Sequence, residues 1–211
     1  YFLRSGSDQK CLAETGEIID SAFDKIAKSD TDAVMIIGDV TNDGEKISHI
    51  EFKEKLENLA NHKPVYIITS THDWCCDENP RRFQGDIVTH NVETMKSNEL
   101  RDFYYDFGPK QAISEYITHI GTTSYVIELN EKVRLLALND DKNGNDHAGF
   151  TEEHFCWIEE QIKKAYEAGV EIIVTPELSL TGYTCGDMFL QDKLVKDSII
   201  GLEYVLSETK S

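Results

Sequence analysis

Two short apolar runs each end in groups able to do chemistry. Ala33–Ile37 stops at Gly38-Asp39, and Pro64–Thr69 stops at Ser70-Thr71-His72-Asp73. A carboxylate and an imidazole about thirty residues apart in sequence would stand side by side if the two runs were neighbouring strands. Divalent metals take such a mixture of oxygen and nitrogen ligands, and a carboxylate can bridge two metals about 3.5–4 Å apart in a hydrolytic centre. The same residues can also serve structure alone, because an Asp at a strand end often caps the next turn. A third polar strand end lies at Thr175-Pro176-Glu177.

The elements that must hold these groups alternate along the chain. Residues 9–28 predict an amphipathic helix with Leu12, Ile19, Phe23 and Ile26 on one face. Residues 33–37 and 64–69 read as buried strands, separated by a helix over 45–60 with Phe52, Leu56 and Leu59 inward. Residues 74–96 read as a long loop, and 98–107 as a short helix rich in aromatic residues. Thr123–Leu129 and Val133–Leu138 predict an antiparallel hairpin across Asn130-Glu131-Lys132. A polar loop over 139–149 leads to Thr151, a cap for a helix over 152–167 with Phe155, Ile158, Ile162 and Ala165 inward. Glu171–Val174 reads as one more buried strand, and 187–208 as a last amphipathic helix. The order implies an α/β fold with a mixed sheet, whose ligands belong just beyond the strand C-termini.

The first two clusters carry a resemblance. Gly38-Asp39 followed by Gly44, then His72-Asp73 at the next strand end, resemble the second and third motif blocks of the calcineurin-like metallophosphoesterases. The Phe103–Gly108 segment, the strand pair 123–138 and the Asn139-Asp140-Asp141 run are also similar to that family's middle, so the resemblance covers about residues 1–166. It implies that Asp39 bridges two divalent ions (manganese, iron or zinc). It implies that Gly38 allows close packing behind Asp39, and that His72 protonates the leaving oxygen or steadies the attacked phosphate. Thr71 stands where that family has a metal-binding Asn, and Ser70 where it has Gly. The family's Asp-x-His and late histidine blocks have no match here. The implied substrate is a small phosphate mono- or diester, and the implied site is incomplete and retains metal poorly.

A second resemblance begins where the first ends. Pro176-Glu177 with Gly182-Tyr183 after it is similar to the carbon–nitrogen hydrolases, and most to the glutaminase domain of glutamine-dependent NAD synthetases. Glu177 would then be the general base that activates a cysteine attacking an amide. The Lys and Cys partners of that base are unmatched, and Cys185 follows the block too closely to be the nucleophile. Both families build an αββα sandwich of two sheets, so the expected fold is an incomplete sandwich of that type. The expected organisation is a partial phosphoesterase over 1–166 and a partial carbon–nitrogen hydrolase segment over 167–211. Three readings follow: a metal-dependent phosphoesterase, a glutamine amidohydrolase, or a non-catalytic α/β module.

Composition narrows the partners. The 211 residues hold 21 Lys+Arg against 39 Asp+Glu, a net charge of −18. So acidic a surface repels nucleic-acid backbones and anionic membranes, and no apolar run has the length of a membrane span. The five cysteines, irregularly spaced with an adjacent Cys75-Cys76, read as reduced thiols of a cytoplasmic protein. Tyr1–Lys10 lacks the basic and apolar regions of a signal peptide. With about five strands expected, an exposed sheet face or edge would favour self-association.

Overall fold

The computed structural model describes residues 14–74, 80–84, 87–142, 149–172, 174 and 190–208. The chain divides into two compact units, Tyr1–Glu167 and Ala168–Ser211.

In the first unit, helix α1 (Thr15–Lys28) leads to strand β1 (Val34–Ile37). Helix α2 (Lys46–Ala60) crosses over to strand β2 (Val65–Ile68). β1 and β2 pair in parallel, Val34 beside Val65 and Ile37 beside Ile68. This is the βαβ arrangement that two apolar runs flanking an amphipathic helix require. Strand alternation sends Val34, Ile36, Val65 and Ile67 to one face, where Phe52, Leu56 and Leu59 of α2 and Ile19, Phe23 and Ile26 of α1 cover them. Truncating Leu56 to Ala inside this layer would cost about 2–5 kcal/mol.

The opposite face of β1–β2 meets a second sheet. Strands β5 (Ser114–Ile117), β6 (Thr123–Asn130) and β7 (Val133–Ala137) form an antiparallel meander in the order 5-6-7. Met35, Tyr66 and Ile68 pack on Tyr125, Ile127, Leu135 and Ala137. The Tyr125 hydroxyl crosses the layer and donates to the Ile67 carbonyl at 2.6 Å. On the outer face, Ser114 and Tyr116 pair with Val126 and Ser124, and helix α4 (Glu152–Glu167) lies over them. Trp157 Nε1 donates to Ser114 Oγ at 3.0 Å, and the His154 ring stacks on Tyr116. Helix, sheet, sheet and helix thus form four layers, and the fold is mixed α/β.

Several elements differ from the sequence reading. The expected loop 74–96 contains a small antiparallel hairpin, β3 (Arg81–Gln84) with β4 (Ile87–His90). The aromatic segment is helical only over α3 (Ser97–Phe103), after which Tyr104 and Phe107 turn into the core. Thr151 does cap α4, its hydroxyl accepting the His154 N–H at 3.2 Å. The inward face of α4 is only partly the expected one: Ile158 and Ala165 are half-buried, but Phe155 and Ile162 are 48% and 42% exposed, while His154 and Gln161 are buried. The reason is the layer beneath, where Ser114 and Tyr116 offer a polar and aromatic surface rather than an aliphatic one.

The second unit contains helix α5 (Asp192–Glu208). Glu171, Ile172 and Val174, expected as a buried strand, lie in no strand, and the two apolar side chains are 77% and 86% exposed. A strand needs a neighbour's hydrogen-bonding ladder, and no strand pairs with these residues among those described. Val195, Ile199 and Leu202 of α5 are also exposed. Among the described residues no helix is long and apolar enough to cross a membrane.

Candidate functional site

The parallel pairing of β1 and β2 brings Gly38-Asp39 and Ser70–Asp73 to one rim of the fold, at adjacent strand C-termini. Gly38 is where the two strand ends come closest. Its φ is 82°, and a Cβ there would lie 2.5 Å from the Ser70 Cβ and 2.8 Å from the Ser70 N. Only glycine accepts both the left-handed backbone and the approach. Asp39 follows with φ 53°, a conformation sparsely used by residues with a side chain.

Two consecutive left-handed residues turn successive N–H groups inward, and a buried carboxylate collects them. Asp73 accepts the N–H of Asp39 at 3.0 Å, Val40 at 2.8 Å, Thr41 at 3.2 Å and Ser70 at 2.9 Å. Such a concave set of backbone donors is an anion-binding nest, occupied here by the protein's own side chain. Burial pushes the Asp73 carboxyl up, while the N–H groups of Ser70, Val40 and Thr41 pull it down. The following loop is tied to the same turn. Thr41 Oγ1 and the Gly44 N–H both donate to the His72 carbonyl, at 2.8 and 2.9 Å. The buried Glu45 carboxylate accepts the N–H of Asp43 at 3.0 Å.

Behind the turn stands His49 of α2, fully buried. Its Nε2–H donates to the Asp73 carbonyl at 2.7 Å, and its Nδ1 accepts from the Tyr104 hydroxyl at 2.8 Å. Those partners fix one neutral tautomer. Burial accordingly holds the imidazole below its ordinary value and pushes the Tyr104 phenol up. Its role is structural, at the centre of the core.

The end of β7 completes the rim. The Asn139 amide donates to the Thr69 carbonyl at 2.6 Å, joining the second sheet to the first. Asp141 is buried in what the sequence suggested was a solvated turn, and accepts the Trp74 indole N–H at 3.1 Å. Burial pushes its carboxyl up.

Asp39, Thr71 and His72 therefore share one rim. Asp39 is exposed, and no hydrogen bond or ion pair reaches its carboxylate among the described residues. His72 is exposed, and its Nδ1–H donates to the Asn42 carbonyl at 2.8 Å. That bond orients the ring and leaves Nε2 to carry or accept a proton. Thr71 opens the 3₁₀ turn Thr71–Asp73. Glu177 lies outside the described residues, as do Cys75, Cys76, Asp146, His147 and Cys185.

Asp73, His49, Asn139 and Asp141 were not among the site residues expected from sequence. For Asp73 the signal was there: Ser70 and Asp73 have the S-x-x-D spacing of a capping box, and the Ser70 N–H bond to Asp73 is that box closing.

The implied dinuclear metal centre can be tested against these donors. Asp73, Asp141 and Glu45 are taken up by backbone or indole N–H groups, while no hydrogen bond or ion pair reaches the Asp39 carboxylate among the described residues. Among the described residues no three ligating side chains converge. One carboxylate with one imidazole does not fit two tightly held ions. Set against family models and curated proteins, the chain matches none.

Proposed function

We propose that the unit ending at Glu167 is the frame of a metal-dependent phosphoesterase of the calcineurin-like kind, acting on small phosphate mono- or diesters. The observation that carries this reading is the rim itself. Asp39 in a left-handed turn and His72 on the next turn stand at adjacent parallel strand ends, held by one buried carboxylate. In this reading Asp39 is the metal-facing carboxylate, Thr71 a weak oxygen donor beside it, and His72 the proton donor. With Nδ1–H fixed on the Asn42 carbonyl, a protonated His72 releases its Nε2 proton to the departing alkoxide or phenoxide oxygen as a water oxygen bonds to phosphorus, giving up its proton to solvent, and the P–O bond to the leaving group breaks. Because the described donors do not fit two ions, no step is assigned to a metal, and the chain is a slow catalyst. A cytoplasmic setting belongs to the same reading, supported by the free thiol of Cys156.

The test is hydrolysis of bis(4-nitrophenyl) phosphate by the whole chain with added manganese or zinc. Turnover below about 1 s⁻¹, the low end of ordinary enzyme rates, with the residual activity removed by His72→Asn, is the expected result. Turnover unaffected by both His72→Asn and Asp39→Asn would remove the rim from the reaction.

A further inference from the structure

Beside the Asp39–His72 turn, two adjacent depressions run along the same rim. The first, about 520 Å³, is lined by Trp74, Lys96, Ser97 and the turn between β5 and β6. The second, about 430 Å³, is lined by Tyr116, Lys142, Glu153 and His154. Thr118 and His119 line both, so the two depressions are adjacent and are together called the trough. Its location follows from the register. Ile117 pairs with Thr123, Tyr125 with Ala137, and Asn139 bonds Thr69, so the β5–β6 turn lies at the end of the sheets where β2 and β7 finish.

The walls of the trough are tied together. The Thr118 N–H donates to the Thr122 carbonyl at 2.8 Å, and Ser97 Oγ donates to the Ile120 carbonyl at 2.6 Å. Asp141 fixes the Trp74 indole from the far side. Tyr116 and His154 stack with ring centroids 4.2 Å apart. Rigid walls of this kind lower the ordering cost of binding, and each volume lies in the range of small-molecule sites, about 300–1,000 Å³.

Its charge is opposite to that of the chain. On a protein of net charge −18, the trough has Lys96 and Lys142 against one carboxylate, Glu153. Neither lysine has an ion pair among the described residues. His154 adds a further sign of an unmet partner. It is 2% exposed, yet its Nε2 has no hydrogen bond.

We infer that this trough binds a small planar aromatic anion, its ring packed on Trp74 and its acid group paired with Lys96. Lys142, lining the adjacent depression, adds positive potential. The inference does not rest on the phosphoesterase reading, because neither Asp39 nor His72 takes part.

The experiment is a titration of the ¹⁵N-labelled whole chain with 1-naphthyl phosphate in EDTA at low salt, followed by the indole N–H signals. The chain has two tryptophans, so Trp157→Phe assigns the Trp74 signal. The expected result is a saturable shift of that signal with a Kd of roughly 0.1–1 mM. Lys96→Glu should weaken binding about tenfold or more, a change of about 1.4 kcal/mol. Lys163→Ala, on the exposed side of α4, should leave it unchanged. 1-Naphthoate compared with the phosphate identifies the acid group preferred, and binding of either supports the inference. A Trp74 signal unmoved at 10-fold the expected Kd would overturn it, as would full affinity in Lys96→Glu. Equal affinity for 1-naphthol would remove the anion from the proposal, and equal affinity for inorganic phosphate would remove the ring. Because EDTA strips metal and only binding is read, loss of this result and loss of phosphoester turnover are separate outcomes.

Discussion

The Asp73 carboxylate accepts the Asp39 backbone N–H at 3.0 Å, across the gap between the ends of β2 and β1. One buried side chain therefore sets the backbone of the residue that faces solvent at the rim. The same carboxylate holds Val40, Thr41 and Ser70, so the turn after β1 and the turn after β2 form or fail together.

Asp73→Asn keeps the size of the side chain but replaces one accepting oxygen by a donor facing N–H groups. Hydrogen bonds to charged groups are worth about 1.5–3 kcal/mol each, and two of the four donors lose their acceptor whichever way the amide is turned. A loss of roughly 2–4 kcal/mol is expected in urea denaturation, with faster hydrogen exchange at Asp39 and Val40. A change under 0.5 kcal/mol would mean that the nest does not hold the turn.

Gly38→Ala should be costly for two additive reasons. The left-handed backbone costs roughly 1–2 kcal/mol with any Cβ, and the new methyl would sit 2.8 Å from the Ser70 N. A total of about 2–4 kcal/mol is expected, read as a lower denaturation midpoint with an unchanged slope. Gly16→Ala is the control, since nothing lies within 4 Å of a Cβ there.

His49 makes stability fall on mild acidification. Burial holds its folded value below the ordinary 6.5, so the unfolded chain takes up a proton that the folded one refuses. The stabilisation is complete above about pH 6.5 and is lost as pH falls through 6.5 toward the depressed folded value, by at most about 1.4 kcal/mol per unit. His154 shifts in the same direction, also by burial. Urea denaturation between pH 7.5 and 5.5 should show this slope, and His49→Gln should reduce it. An unchanged slope in that variant would assign the acid sensitivity elsewhere.

Arg101 ties α3 to β5 through a two-pronged bond, Nε and Nη2 each reaching a Glu115 oxygen at 2.7 Å. Glu115 and the Asp102 carboxylate keep its guanidinium charged. Lysine cannot reproduce the fork. Arg101→Lys should cost about 1 kcal/mol, reduced by the partial exposure of the pair, and thermal denaturation would register it as a fall of a few degrees in Tm.

The frame of the first unit was legible because its signals are strong. β1 and β2 are unbroken apolar runs, α2 has Phe52, Leu56 and Leu59 at helical spacing, and Asn130–Lys132 is a polar break between apolar strands. The hairpin of β3 and β4 was missed because both strands are four residues long and begin or end on charged or polar side chains. The Gly85-Asp86 step between them was the available turn signal. The face of α4 was misread because periodicity counts Phe155 and Ile162 as inward, whereas the neighbouring sheet face selects His154 and Trp157 through stacking and a hydroxyl. At the rim, Asp39 and His72 stood out by type and position. The nest, the His49 tautomer and the Asp141 bond depend on burial and on contacts 24 to 67 residues apart, which local spacing does not encode.

The central claim is that the rim holds Asp39 and His72 without a full set of metal ligands among the described residues. Equilibrium metal binding tests it most directly: the purified chain, loaded with manganese or zinc, is desalted and its metal content measured by mass spectrometry beside Asp39→Asn. A divalent ion held by one carboxylate stays largely hydrated, so the account predicts well under about one equivalent retained and no difference between the two proteins. About two equivalents retained, as a dinuclear centre holds, and lost in Asp39→Asn, would contradict it.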